Sequence, residues 1–325
     1  MLDSPEILET SLQGLGWQAW LARMEELTEE AGHAAPLGPH HAAILVEQKP
    51  VLLVTFETHQ GITHLDRSAQ PLGWSMARAL GWSHLCLVAD GESWFRDPRV
   101  YGYFDRLADD GFFEDFDQVV FYGAGSCGYA AAAFSVAAPG ARVLALHPQA
   151  TLDPRIAEWD HRWRHMRRVA FDDRYGYAPD MLDAAECAVV LYDPRTEEDA
   201  MHAALFTRAN VTKFRMRDLG PGMEAALLRM NVLPRILAQL SAGRLTRQSL
   251  ARLYRARRRD RGYQFNLLQR LAATGRHRLV IHLCNAVTAQ RRAPRYQKMR
   301  AQADAALAEG APTATESGTT EPGTG

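Results

Sequence analysis

Short apolar runs alternate with longer amphipathic stretches over most of this chain. The runs are AILV (43–46), VLLVTF (51–56), HLCLV (84–88), QVVFY (118–122), RVLAL (142–146), CAVVLY (187–192) and VTKFRM (211–216). They are rich in Val and Leu with little polar alternation, as in strands buried on both faces. Between them, residues 70–81, 97–109, 126–138, 197–207 and 222–230 read as helices. This alternation predicts an α/β fold, a mostly parallel sheet flanked by helices. Residues 5–31 read as a helix with Leu8, Leu12, Leu15, Leu21, Met24 and Leu27 loosely on one face. The pattern gives an N-terminal helical extension over 1–39 and a sheet domain over 40–240.

Beyond residue 240 the strand pattern stops. Residues 241–308 read as three or four helices, punctuated by Thr246, Gly262, Gly275 and Pro294. The pair that meets at Gly275 and ends before Pro294 resembles a tetratricopeptide-like helical pair, which implies an all-helical segment. Residues 309–325, EGAPTATESGTTEPGTG, have too little apolar content to fold and are expected to be a disordered tail.

The net charge of −1 conceals a strong asymmetry. Residues 241–300 carry sixteen Lys/Arg against Asp260 alone, for +15, while residues 1–240 carry −12. The basic segment therefore suits an anionic or protein partner, or is a solvated arginine-rich surface. It contains no recognisable nucleic-acid-binding module, so nucleic acid is not expected. No apolar run approaches the ~18 residues of a membrane span. The opening MLDSPEILET lacks a basic and apolar leader pattern. Cys86, Cys127, Cys187 and Cys284 are scattered without a CxxC pair, which argues against a zinc site and for a reducing cytoplasm. Neither a metal nor a cofactor is expected.

The stretch FYGAGSCGYAAAAFS, residues 121–135, carries the chemistry. A strand runs into a glycine cluster and then an alanine-rich helix, the form of a nucleophile elbow, where strand and helix pack closely. With PGARVLALHPQATLDP (139–154) after it, the stretch resembles the α/β-hydrolase superfamily, closest to bacterial serine-hydrolase-like proteins reading FYGxSMGGYAALAFS. The resemblance covers roughly residues 40–235 and implies an α/β-hydrolase-like fold. Laid on that pattern, the nucleophile slot falls on Gly125, which has no side chain. Three readings follow: a dead elbow, a shifted elbow with Ser126 as nucleophile, or Cys127 as a thiol activated at a helix N-terminus. The acid slot after CAVVLY gives Asp193. The histidine slot after VTKFRM holds Gly220, Pro221 and Gly222 instead, which leaves His202 or His147 as substitute bases. Backbone N–H groups near Thr58, His59 and Cys127 would form the oxyanion site. Trp94 and Arg96 in DGESWFRDP (90–98), and the aromatic–cationic WDHRWRHMRR (159–168), are candidate pocket walls.

Two functions fit these residues. One is an α/β-hydrolase-fold protein with a degenerate triad, either an atypical acyl or ester hydrolase or a pseudoenzyme binding a small anionic or carbohydrate-like ligand. Some proteins of this look work near surface polysaccharides, which gives the second form its setting. The other is a non-enzymatic scaffold that uses its basic helices. A nucleotide-dependent oxidoreductase is disfavoured. Gly123, Gly125 and Gly128 spell GxGxxG, but on a central strand and without an acid at the tip of the next. Phosphoadenosine-phosphosulfate reductase chemistry finds no SGGxDS loop.

Overall fold

The computed structural model describes residues 10–29, 32–48 and 50–309. The chain divides into two compact units, residues 1–257 and 258–325. The first is built on eight strands: β1 (Gly32–Pro36), β2 (His41–Val46), β3 (Val51–Thr58), β4 (Ser83–Ala89), β5 (Gln118–Ala124), β6 (Arg142–Leu146), β7 (Cys187–Tyr192) and β8 (Val211–Arg215). They form one sheet in the order β1-β2-β4-β3-β5-β6-β7-β8. β2 runs antiparallel to β1 and β4; the pairings from β4 through β8 are parallel.

The low polar alternation has the expected cause. Leu52, Val54 and Phe56 of β3, with Leu85 and Leu87 of β4, face one core beside helices Pro98–Asp109 and Ser126–Phe134. Cys86 and Val88 face the opposite core, beneath helices Trp17–Thr28 and Leu72–Leu80. Strands covered on both faces need apolar residues at both parities. All seven expected strands are present, and the architecture is α/β-hydrolase-like.

Three expectations change. Residues 32–36 form an edge strand rather than part of a helical extension. Trp20 and Met24 are fully buried in the sheet core, so the extension is integral to it. The expected helix over 5–31 is described only from Trp17 to Thr28, and residues 5–9 lie outside the described residues. The first unit also extends past residue 240, through helices Leu233–Ser241 and Arg247–Tyr254. Arg142 donates to the carbonyls of Leu240 and Ser241, and the Tyr254 hydroxyl donates to the Arg217 carbonyl at 2.5 Å. These bonds hold that stretch on the sheet domain.

The second unit contains helices Arg261–Ala273, His277–Thr288 and Pro294–Glu309 around Leu268, Leu271, Val280, Cys284 and Val287. Gly262 lies inside the first turn and breaks nothing. Asp260 caps that helix, accepting the Tyr263 N–H at 2.8 Å. The expected disordered tail falls on residues outside the described range, apart from Glu309. No helix among the described residues is long and apolar enough to cross a membrane.

Candidate functional site

The elbow follows β5. Gly125 stands between β5 and helix Ser126–Phe134 with φ 61° and ψ −123°, a strained conformation at the tip of the turn. Its N–H donates to the Leu146 carbonyl at 2.8 Å and its carbonyl accepts the Tyr129 N–H at 3.0 Å. Every residue of the following helix is buried, and the alanine run lets it lie against the sheet. The turn joins strand to helix through a positive φ at Gly125, and its apex carries no side chain.

A cavity of about 480 Å³ opens over this apex. Of the sequence candidates, Thr58, Gly125, Ser126, Cys127 and His147 line it. Asp193, His202, His59, Trp94 and Arg96 do not. The Thr58 hydroxyl caps the helix His59–Leu65 by accepting the Gly61 N–H at 3.0 Å. The Ser126 hydroxyl donates to Glu92 Oε2 at 2.5 Å, so its partner is a carboxylate and not a histidine. Cys127 is not activated. Burial pushes its thiol pKa well above the usual value, with the carboxyls of Glu92, Glu224 and Glu57 pushing the same way, and these outweigh any gain from the helix N-terminus.

The remaining triad candidates hold structure elsewhere. Asp193 is 1% exposed and accepts the N–H groups of Arg195 at 3.0 Å and Gly220 at 2.9 Å. The acid thus ties down the backbone of the loop in which the histidine was sought. His202 is fully buried. Its Nδ1 accepts the Ala150 N–H at 3.2 Å and its Nε2 pairs with Asp160 Oδ2 at 3.0 Å. Both ring nitrogens are therefore committed, and Ser126, Asp193 and His202 form no relay. His147 follows β6, and burial lowers its pKa, leaving it neutral at pH 7. A Cβ built on Gly125 would lie 3.6 Å from His147 Cε1 and 3.8 Å from Nδ1, so the imidazole faces the empty apex.

His59, expected at the oxyanion site, packs its ring against Trp17 and Trp20 instead. Trp94 and Arg96 turn into the core. Trp94 and Phe95 both have left-handed backbones, φ 51° and 56°, which redirects the DGESWFRDP turn. Trp94 Nε1 donates to Gln149 Oε1 at 3.2 Å, and its ring stands edge-on to Trp163, 4.8 Å between centroids. Trp163, not Trp94, reaches the cavity.

Sequence reasoning missed the groups that give the cavity its character: Glu57, Glu92, Glu224, Asp199 and Arg162. Glu92 and Arg162 both lie in stretches marked as candidate walls, DGESWFRDP and WDHRWRHMRR, though neither was singled out; Arg162 is spent on Asp160 at 2.8 Å and Asp199 at 2.7 Å. Glu224 opens the helix Met223–Arg229 just beyond Gly220–Gly222, where the histidine was sought. The Tyr122 hydroxyl donates to its Oε1 at 2.5 Å, and burial raises its pKa to about 7. Below it, Glu57, His84 and Cys86 bring donor atoms within 4.8 Å of one another. The Thr55 hydroxyl already joins Glu57 at 2.7 Å and His84 at 2.8 Å, and the Cys86 thiol donates to Glu57 at 3.4 Å. With that hydroxyl among the donors, the group is a hydrogen-bonded network tying β3 to β4.

No family model and no curated protein matches the chain. Among solved structures, an esterase from Pyrobaculum calidifontis is similar at 14% identity and TM-score 0.41, over 71% of this chain and 95% of that one. Brefeldin A esterase, a bacterial homologue of human hormone-sensitive lipase, is similar at 16% identity and TM-score 0.38, over 65% and 74% of the two chains. A glycosylation-associated protein complex from Streptococcus agalactiae is similar at 12% identity and TM-score 0.37, over 56% of this chain and 41% of that one. Likenesses this distant transfer no activity to this chain.

Proposed function

We propose that the chain is a non-hydrolytic binding protein on an α/β-hydrolase scaffold, and that its cavity takes a neutral, carbohydrate-like ligand. One observation carries the reading: the elbow backbone is retained at Gly125 while the cavity above it stays open. An acyl-transfer enzyme needs an activated nucleophile there, and a glycine offers none. The charges decide the ligand class. Arg162 is spent on two aspartates and His147 is neutral, so an anion meets no unspent cation among the described lining residues. Carboxyl groups, the Gln149 amide and the Trp163 indole suit a polyhydroxyl ring, which offers hydroxyls to bond and a face to stack. The cysteines are free, which fits a reducing compartment, and we place the protein in the cytoplasm.

Two measurements test this. A fluorophosphonate probe should leave the wild-type peptide around Ser126 unlabelled, while Gly125→Ser, which sets a hydroxyl beside His147, should gain slow labelling. Labelling of wild-type Ser126, abolished by Ser126→Ala, would overturn the reading. Methyl glycosides of glucose, galactose, mannose and N-acetylglucosamine should be screened by thermal shift. A binder at a hundred times its Kd should raise Tm by about 5–10 °C.

A further inference from the structure

Glu224 is a partly buried acid just past Gly220–Gly222, where a histidine was sought, and the binding function proposed above gives it no role so far. Tyr122 occupies Oε1, whereas Oε2 makes no hydrogen bond to any described residue, and the side chain lines the cavity. We propose that Glu224 is the specificity-determining proton donor of the cavity, offering the hydrogen of its acid form through Oε2 to a ring or ether oxygen of the bound sugar. This rests on the carbohydrate reading above and adds the atom that recognises the ligand.

The surroundings favour the acid form. Glu57 from β3 sets a second carboxyl against it, and burial pushes that one up as well. Tyr122 from β5 and Cys127 from the elbow helix are both held in their neutral forms by burial; the Tyr122 hydroxyl, by donating to Oε1, works against the acid form, and burial outweighs it. Glu92, His147, Asp199 and Arg162 face the same cavity, and the cation among them is bonded to Asp160 and Asp199. A carboxylate can only accept hydrogen bonds; a carboxylic acid can donate one. An ether oxygen can only accept. A ligand that presents an ether oxygen to Glu224 therefore binds the acid and is refused by the carboxylate.

The sign follows directly. Binding that requires the proton is at full strength below the Glu224 pKa of about 7 and weakens as pH rises through it. The test has two arms on the intact chain. First, difference infrared spectroscopy of wild type against Glu224→Gln should show one protonated carboxyl with a midpoint near 7, lost in the variant. Second, the four methyl glycosides should be titrated between about pH 6 and 8. The expected result is a wild-type affinity that falls up to about tenfold per pH unit above the midpoint, and a flat profile for Glu224→Gln, whose amide keeps a donor. Glu224→Leu, which keeps bulk without a donor, should bind weakly at every pH. An ordinary carboxylate midpoint, or a flat wild-type profile with intact binding, overturns the proposal. Should no glycoside bind while the midpoint lies near 7, the carbohydrate reading fails and the proton assignment survives.

Discussion

Gly123→Ala should unfold the first unit more readily than any other small substitution at the elbow. A Cβ on Gly123 would lie 2.1 Å from the Cys127 carbonyl oxygen, 2.4 Å from its carbon and 2.9 Å from the Gly128 nitrogen. All three are backbone atoms of the helix that β5 feeds, so no side chain can swing aside. The helix would have to leave a sheet against which all nine of its residues are buried. A cost above ~4 kcal/mol is expected, a fall in Tm of roughly 8–16 °C by thermal circular dichroism. Gly125→Ala is the control. Its Cβ meets only His147, at an ordinary 3.6 Å, so the cost is the positive-φ strain of about 1–3 kcal/mol. The close approach at Gly123 predicts this order. If Gly125→Ala were the worse of the two, the packing at 123 would not be what fixes the elbow.

That contrast shows why the scaffold could be read from the sequence and the site could not. Strand β5 and the elbow leave a local signature, because close backbone approach restricts Gly123 and Gly128 to glycine within six positions. Apolar runs such as VLLVTF announce strands covered on both faces. The edge strand β1, GHAAP, has no such run: it is half exposed and starts and ends in Gly and Pro, and it is a strand because β2 pairs with it. The cavity walls have no local signature at all. Glu57 comes from the end of β3, Glu92 from the loop after β4 and Glu224 from the first turn of a helix, and a single glutamate in any of these places looks like solvent-facing charge. Distinctive side chains single out Trp94 and Arg96 in the sequence, but the left-handed pair at 94 and 95 turns them inward. After β8 the sequence holds no histidine before His277. The carboxyl two residues past Gly222 was visible, but only its bond to Tyr122 marks it as more than a helix-capping acid.

Arg96 offers the sharpest separation between a wall of the site and a strut of the fold. Its side chain is 1% exposed, and its Nε and Nη1 donate to the carbonyls of Ala170 at 3.0 Å and Arg174 at 2.7 Å. Nη1 also reaches the Tyr129 hydroxyl at 3.3 Å, Nη2 pairs with Asp173, and the guanidinium lies 5.1 Å from the Tyr101 ring and 5.3 Å from Phe171. Asp173 is half exposed, so that ion pair is screened and contributes little. The buried donors matter more, because Arg96→Ala would leave two carbonyls unpaired and a void between two rings. A loss of about 3–5 kcal/mol is expected, with the 170–176 loop opening first to limited proteolysis. Arg96→Lys should recover little, since one ammonium cannot serve carbonyls lying in different directions. Glycoside affinity, measured well below the lowered Tm, should stay within about twofold of wild type, since Arg96 touches no part of the cavity. A variant that kept its stability and lost its ligand would return Arg96 to the wall where the sequence alone had placed it.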